Sequence, residues 1–388
     1  MASRIMTYIV EPPTGDTTPG IHILLIGVDR YEYLHEEDGT HRELGAGFSV
    51  LDAPTHSCKL LGEWFANGNL RNRGFTVKSV DVLASRAAGA ADVTTTDYEQ
   101  PTFGNVRKAI ERWYKLGQLS PDNLLVFYFC GHGMRHSEGN HSLLCSDFGA
   151  HDLAPFDHAI HYEGLERGMR TCAANRQLFL LDTCRAPLPA FTNNFTEFGN
   201  AIVARRAPDD LGAVSQSVLW ATAGGAQAWV LYGAPSVFAT TFIQSMKGGA
   251  AIYDARSEGM VATASSIQYA MAQYLAVVTG VDQEPESGQP VGKTFTLHKF
   301  GDDFSIPVVV RCDPDEYSAG ASLSCQDASG IDVKTRQPYA TEPDHRWILD
   351  LSPGSYTFHA ACNLSTPCQG TVTKDARPPI AVVRIPME

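Results

Sequence analysis

The feature that most constrains this chain is a series of short, uninterrupted apolar runs separated by stretches of helical period. Residues 23–28 (ILLIGV), 75–83 (FTVKSVDVL), 124–130 (LLVFYFC), 177–181 (QLFLL) and 217–223 (SVLWATA) make up the series. The most apolar of these runs are too short for a helix and too uniform for a strand with one face in water, so they read as strands buried on both faces. Between and after them, residues 52–66, 103–116, 162–172, 237–246 and 262–278 carry apolar side chains at helical spacing. Strands alternating with helices predict an α/β fold, with a mainly parallel sheet flanked by helices. In such sheets chemistry gathers in the loops beyond the carboxyl ends of the strands. Three polar clusters stand at those ends: Asp29-Arg30-Tyr31, Gly131-His132-Gly133 and Asp182-Thr183-Cys184-Arg185.

The pattern also divides the chain. Residues 1–20, rich in Pro, Thr and Gly, read as a flexible arm, and 21–280 as the α/β domain. Residues 281–300, which take in most of the Gly-, Pro- and Glu-rich stretch GVDQEPESGQPVG at 280–292, read as a linker. Beyond it the helical period stops. Short runs at 306–312, 347–351, 355–362 and 380–385, with turns such as Ser352-Pro353-Gly354 between them, predict a small antiparallel β-sandwich over 301–388. A length of 388 residues suits one catalytic-sized domain plus such a module.

Composition removes several function classes. The net charge of −13 leaves no clustered Lys and Arg to neutralise phosphates, so nucleic acid is not an expected partner. No run approaches the length of a membrane span, and residues 1–20 hold no apolar core of the length a signal peptide needs, which predicts no membrane partner and a cytoplasmic location. Nine cysteines is an odd count. Cys58, Cys130, Cys145, Cys172 and Cys184 fall in the first domain, all but Cys184 reading as small core hydrophobes. Cys312, Cys325, Cys362 and Cys368 crowd the end of the chain, where they form two disulfides in an exported protein and stay thiols in a reducing compartment; the second is the expectation. His141, His151, His158 and His161 follow no zinc spacing and no paired Cys accompanies them, so no metal is expected. No Arg lies where a phosphatase loop after Cys184 needs one. Asn140, Asn194 and Asn363 begin glycosylation sequons that matter only on a secretory route.

A thiol becomes a strong nucleophile when a neighbouring His takes its proton. His132 follows the third strand and Cys184 the fourth, and adjacent parallel strands would bring these two ends together. Gly133 offers an unobstructed N–H that, with the N–H of Cys184, could hold the oxyanion of an acyl-transfer intermediate.

The runs LLVFYFCGHG and QLFLLDTCRA resemble the His and Cys motifs of the caspase, metacaspase and paracaspase superfamily. The likeness extends from residue 23 to about 278, through HILLIGVDRY, Leu51-Asp52-Ala53, LLCSD at 143–147 and the helix start at Ser236-Val237-Phe238. It implies a caspase-like fold and a cysteine endopeptidase, with Cys184 as nucleophile, His132 as base and Gly133 in the oxyanion hole. Caspases carry Gln two residues before the nucleophile and cut after Asp; Asp182 stands there in this chain, as in metacaspases and paracaspases, which cut after Arg or Lys. A carboxylate in a partly dry pocket needs a cation, and Arg is its natural bidentate partner. Asp52 matches a second pocket acid of the metacaspase-like group and reads equally well as the N-cap of the first helix. Ala221, near the end of the fifth strand, is expected on the substrate side as well.

Ala186 departs from the pattern, since caspases commonly carry Gly there. Calcium, which activates many metacaspases through several Asp residues, is expected at most as an activator: Asp147 and Asp152 alone suggest themselves, and no cofactor is expected. The stretch 186–211 contains Arg205 and Arg206, a dibasic pair where related enzymes are cut for activation. The expected partners are proteins with exposed Arg or Lys and an activating protease or regulator; the likeness also carries an association with regulated cell death or defence. The competing reading is a catalytically silent scaffold that binds partners through the C-terminal module, against which the intact His132 and Cys184 argue.

Overall fold

The computed structural model describes residues 8–34, 50–72, 74–85, 98–137, 139–151, 153–185, 196–204, 214–222, 233–281, 283–338, 346–362 and 367–388. In chain order the first elements are β1 (Tyr8–Val10), β2 (Ile21–Gly27), α1 (Ala53–Ala66), β3 (Val77–Ala84), α2 (Phe103–Gly117) and β4 (Leu124–Gly131). Then come β5 (Gly133–Ser137), β6 (Asn140–Leu144), β7 (Ala159–His161), α3 (Tyr162–Met169), β8 (Arg176–Thr183), β9 (Ser215–Trp220) and α4 (Val237–Gln244). β10 (Ile252–Asp254), β11 (Gly259–Ala262), α5 (Ala264–Tyr274), β12 (Glu286–Ser287) and β13 (His298–Lys299) precede the C-terminal strands. Those are β14 (Ile306–Asp313), β15 (Ala321–Gln326), β16 (Asp332–Arg336), β17 (Trp347–Leu351), β18 (Gly354–Cys362), β19 (Cys368–Ala376) and β20 (Ala381–Pro386). The chain forms two compact units, one of Met1–Thr240 with Gln283–Leu297, the other of Thr241–Asp282 with His298–Glu388.

The first unit is built on a seven-stranded sheet of order β1-β3-β2-β4-β8-β9-β12. The five inner strands run parallel, and β1 and β12 close the edges antiparallel. Every residue of β2, β4 and β8 is buried, and their apolar stretches are those of strands covered on both faces. Trp113 of α2 lies against Phe127 and Phe179, with ring centroids 5.9 and 6.3 Å apart, and its indole N–H donates to the His22 carbonyl at 3.1 Å. This is the mostly parallel sheet between helices that the sequence predicts. The segment 283–297, expected as linker, contributes β12: Glu286 pairs with Trp220 and Ser287 with Leu219.

The second unit carries a small sheet of β10-β11-β13 and two further sheets, β17-β14-β20 and β16-β15-β18-β19. The last two share one core, in which Val308, Val310, Leu323, Trp347, Phe358 and Val383 are all buried. Along β15, β17 and β20 buried residues alternate with more exposed ones, the period of a sheet with one face on a core. This is the predicted sandwich; its pairs are antiparallel except β14 with β20, which run parallel.

Candidate functional site

β4 and β8 are neighbours in the sheet, and their register pairs Cys130 with Asp182 and Gly131 with Thr183. His132 and Cys184 are the residues immediately beyond the last rung, at the carboxyl end of two adjacent parallel strands. His132 is 8% exposed and Cys184 partly exposed. The His132 backbone N–H donates to the Tyr31 hydroxyl at 2.6 Å, and the two rings lie 5.0 Å apart. Tyr31 comes from the first of the three polar clusters and is fully buried. It anchors the turn on which His132 sits.

The two glycines have separate geometric reasons. A Cβ at Gly131 would meet the Tyr31 hydroxyl at 2.9 Å. At Gly133 a Cβ would stand 2.8 Å from Cβ and Oγ1 of Thr183 and 3.0 Å from the Cys184 carbonyl oxygen. Gly133 is thus packed directly on the Thr183 side chain and the Cys184 carbonyl. No other residue fits that closeness.

Acids gather around the same end of the sheet. Asp182 is 4% exposed and accepts from the hydroxyls of Tyr128, at 2.8 Å, and Ser236. Burial pushes its carboxyl up, while the bonds from Ser236, Tyr128 and Cys130 pull it back part of the way. Asp52 precedes α1 yet makes no side-chain cap bond. Its carboxylate instead accepts from the Gly233 N–H and lies 3.7 Å from His56 Nε2. That leaves the helix start to Pro54 and to Asp29, whose carboxylate accepts the Thr55 N–H at 3.0 Å. Burial raises Asp29 to about 7 against the opposing hydrogen bonds from Thr55, with the Asp52 charge adding to the rise. Cys58 is fully buried, and after burial the charges of Asp29 and Asp182 push its thiol further up, so it is a core thiol. Ala221 is buried, its N–H bonded to the Leu181 carbonyl and its carbonyl to Gln283.

A second group, which no motif in the sequence announces, is centred on Arg185. Its guanidinium lies 4.5 Å over the Trp220 ring, donates to the Thr222 carbonyl at 3.3 Å and pairs with Glu286 of β12. His141 approaches it at 3.5 Å and is itself bonded through Nδ1 and its backbone N–H to Glu163 of α3. The Arg after Cys184 was visible; Glu286 lay hidden in a stretch whose Gly and Pro content read as linker.

Residues 196–204 run across α3 and β7. Asn200 N–H donates to the Ala159 carbonyl at 2.9 Å, the His161 N–H to the Asn200 carbonyl at 3.0 Å, and the Ser142 hydroxyl to the Phe198 carbonyl at 2.8 Å. Arg205, Arg206 and Asp152 lie outside the described residues. Asp147, one of the two suggested calcium ligands, accepts the Phe103 N–H at the start of α2 at 2.8 Å. Among the described residues no group of three or more His, Cys, Asp or Glu is arranged to hold a metal, and no helix is long and apolar enough to cross a membrane.

Comparison with known proteins bears on this geometry. The uncharacterized protein y4kE of Sinorhizobium fredii is 22% identical over 250 residues, 63% of this chain and 71% of its own. Among solved structures, protein GSU0716 of Geobacter sulfurreducens aligns over 71% of this chain and 94% of its own at 14% identity and a TM-score of 0.43. Caspase-1 of Spodoptera frugiperda aligns over 76% and 100% at 9% identity and a TM-score of 0.41. The model of the caspase domain family matches residues 47–287, more than half of the chain. The chain therefore belongs to the caspase domain family of cysteine peptidases.

Proposed function

We propose that this protein is an endopeptidase that cleaves after Arg, and less well after Lys, with Cys184 as nucleophile and His132 as general base. The observation that carries the reading is the β4–β8 register, in which Gly131 faces Thr183 and the two reactive residues come next. His132 takes the Cys184 proton, and the thiolate attacks the scissile carbonyl. The N–H groups of Gly133 and Cys184 receive the oxyanion; His132 then protonates the leaving amine, and water hydrolyses the thioester. Asp182 and Asp52, with Ala221 beside them, hold the basic side chain. A nearly dry acid at the end of β8 beside a half-buried one before α1 suits a guanidinium better than an ammonium, which is harder to strip of water.

The reading includes an activation step, for which Arg205 and Arg206 are the proposed self-cleavage point and calcium a proposed activator without an assigned site. Fluorogenic peptides ending in Arg, Lys, Asp or Asn, assayed with and without calcium beside Cys184→Ala, test it. Turnover of the Arg peptide, lost in Cys184→Ala, is expected; cleavage after Asp alone would overturn the pocket assignment. A peptidyl ketone ending in Arg should label Cys184, and absence of that adduct under every activating condition would favour the scaffold reading.

A further inference from the structure

The sandwich in the second unit holds a thiol grouping that the peptidase reading does not use. Cys362 ends β18, Cys368 begins β19, and the two are direct partners in the antiparallel ladder. Direct partners have Cα atoms about 4.5–5.5 Å apart, inside the span that a disulfide bridges without backbone movement. The two thiols are within hydrogen-bonding reach of each other; burial first, then the Cys368 thiol, push Cys362 up to about 11. Cys362 is 1% exposed and its thiol faces the Tyr317 carbonyl at 3.7 Å, whereas Cys368 is partly exposed. A third thiol, Cys312 of β14, is fully buried and close enough to both for its charge to be felt. Cys325 sits on β15 opposite Phe358, on a different rung.

We propose that Cys362 and Cys368 form a reversible disulfide that staples the β18–β19 hairpin, made by exchange with a low-molecular-weight disulfide. The accessible Cys368 thiolate attacks one sulfur of the small disulfide, forming a mixed disulfide and releasing one thiolate. Cys362 loses its proton and attacks the Cys368 sulfur, expelling the second thiolate. Two protein thiols are oxidised, one small disulfide is reduced to two thiols, and the protons pass to them. Asymmetry of exposure sets the order, since the small disulfide reaches Cys368 and Cys362 waits beside it. The inference stands whether or not the chain is a peptidase.

The test uses the native full chain and oxidised glutathione, followed by alkylation and trypsin. Residues 347–374 form one tryptic peptide that holds Cys362 and Cys368 and no other cysteine. This peptide is expected to lose two hydrogens, to take up no alkyl group, and to recover both thiols with dithiothreitol, while Cys325 stays alkylated. The oxidised protein should also melt at a higher temperature than the reduced one, a difference that Cys368→Ser abolishes. Alkylation at both positions after oxidation, a stable glutathione adduct on Cys368, or a cross-link to Cys312 would each overturn the proposal.

Discussion

Arg185 carries a charge into a nearly dry position directly after the proposed nucleophile. Trp220, Thr222 and Glu286 surround the guanidinium, so the backbone at Cys184 is tied to the edge strand β12. A group held this way acts on the reaction through position. Arg185→Ala is expected to lower kcat on an Arg peptide by about a hundredfold with KM nearly unchanged, and Arg185→Lys to recover part of the loss. A rise in KM with kcat intact would place Arg185 in substrate binding. Asp52 offers the complementary experiment. Its carboxylate caps no helix, and an Asn oxygen can still accept the Gly233 N–H, so Asp52→Asn should leave the melting temperature close to wild type yet reduce kcat/KM on the Arg peptide by about tenfold to a hundredfold. Equal rates on Arg peptides would remove Asp52 from the pocket.

Helix α3 presents Gly164 and Gly168 to the segment that follows the nucleophile. A Cβ at Gly168 would come within 2.2 Å of the Val203 carbonyl oxygen, and one at Gly164 within 2.7 Å of the Ala201 Cβ. Between them Ile202 is held at a φ of +62°, a left-handed conformation that a β-branched residue adopts only under constraint. Gly168→Ala should therefore lift residues 201–203 and cost about 1–3 kcal/mol. Limited proteolysis checks it: faster cutting near these residues is expected, and an unchanged cutting pattern would show that the segment does not depend on the groove. The same region shows where the sequence was legible. Runs such as LLVFYFC announce strands because a parallel strand covered on both faces favours apolar side chains along its middle. Leu143 and Leu144 made one strand after His132 visible. The sheet that β5, β6 and β7 form is built from short strands rich in His and Ser, whose hydrogen bonds come from packing partners and leave no period to read. β12 escaped for a related reason, being two residues long in a stretch whose composition signals a linker. At the site, the strand ends were legible from Asp182-Thr183-Cys184 and Gly131-His132-Gly133; the Glu286 and Glu163 partners, more than 20 residues away in sequence, required the fold.

Across the whole molecule, buried titratable groups oppose one another in acid. Burial raises Asp29 to about 7 and Asp81 to about 6, so the folded chain holds these protons where the unfolded chain, with carboxyls near 4, has lost them. Stability from these two groups rises as pH falls through their folded values and levels off near the unfolded ones. Burial lowers His22 and His136 to about 4, so between pH ~6.5 and ~4 the unfolded chain binds protons that the folded chain refuses. Their contribution falls over the same interval in which the carboxyls' contribution rises. Asp29→Asn unmasks the histidines. Asn reproduces the protonated carboxyl's shape, with an oxygen for the Thr55 N–H, but cannot take up a proton. Its loss removes an acid-stabilising contribution of order a few kcal/mol. Melting temperatures measured from pH 7.5 to 5 should fall more steeply with acid in Asp29→Asn than in wild type, and His22→Asn in the same background should flatten the profile again. Parallel profiles for wild type and Asp29→Asn would mean that the Asp29 carboxyl is already ionised in the folded protein across this range.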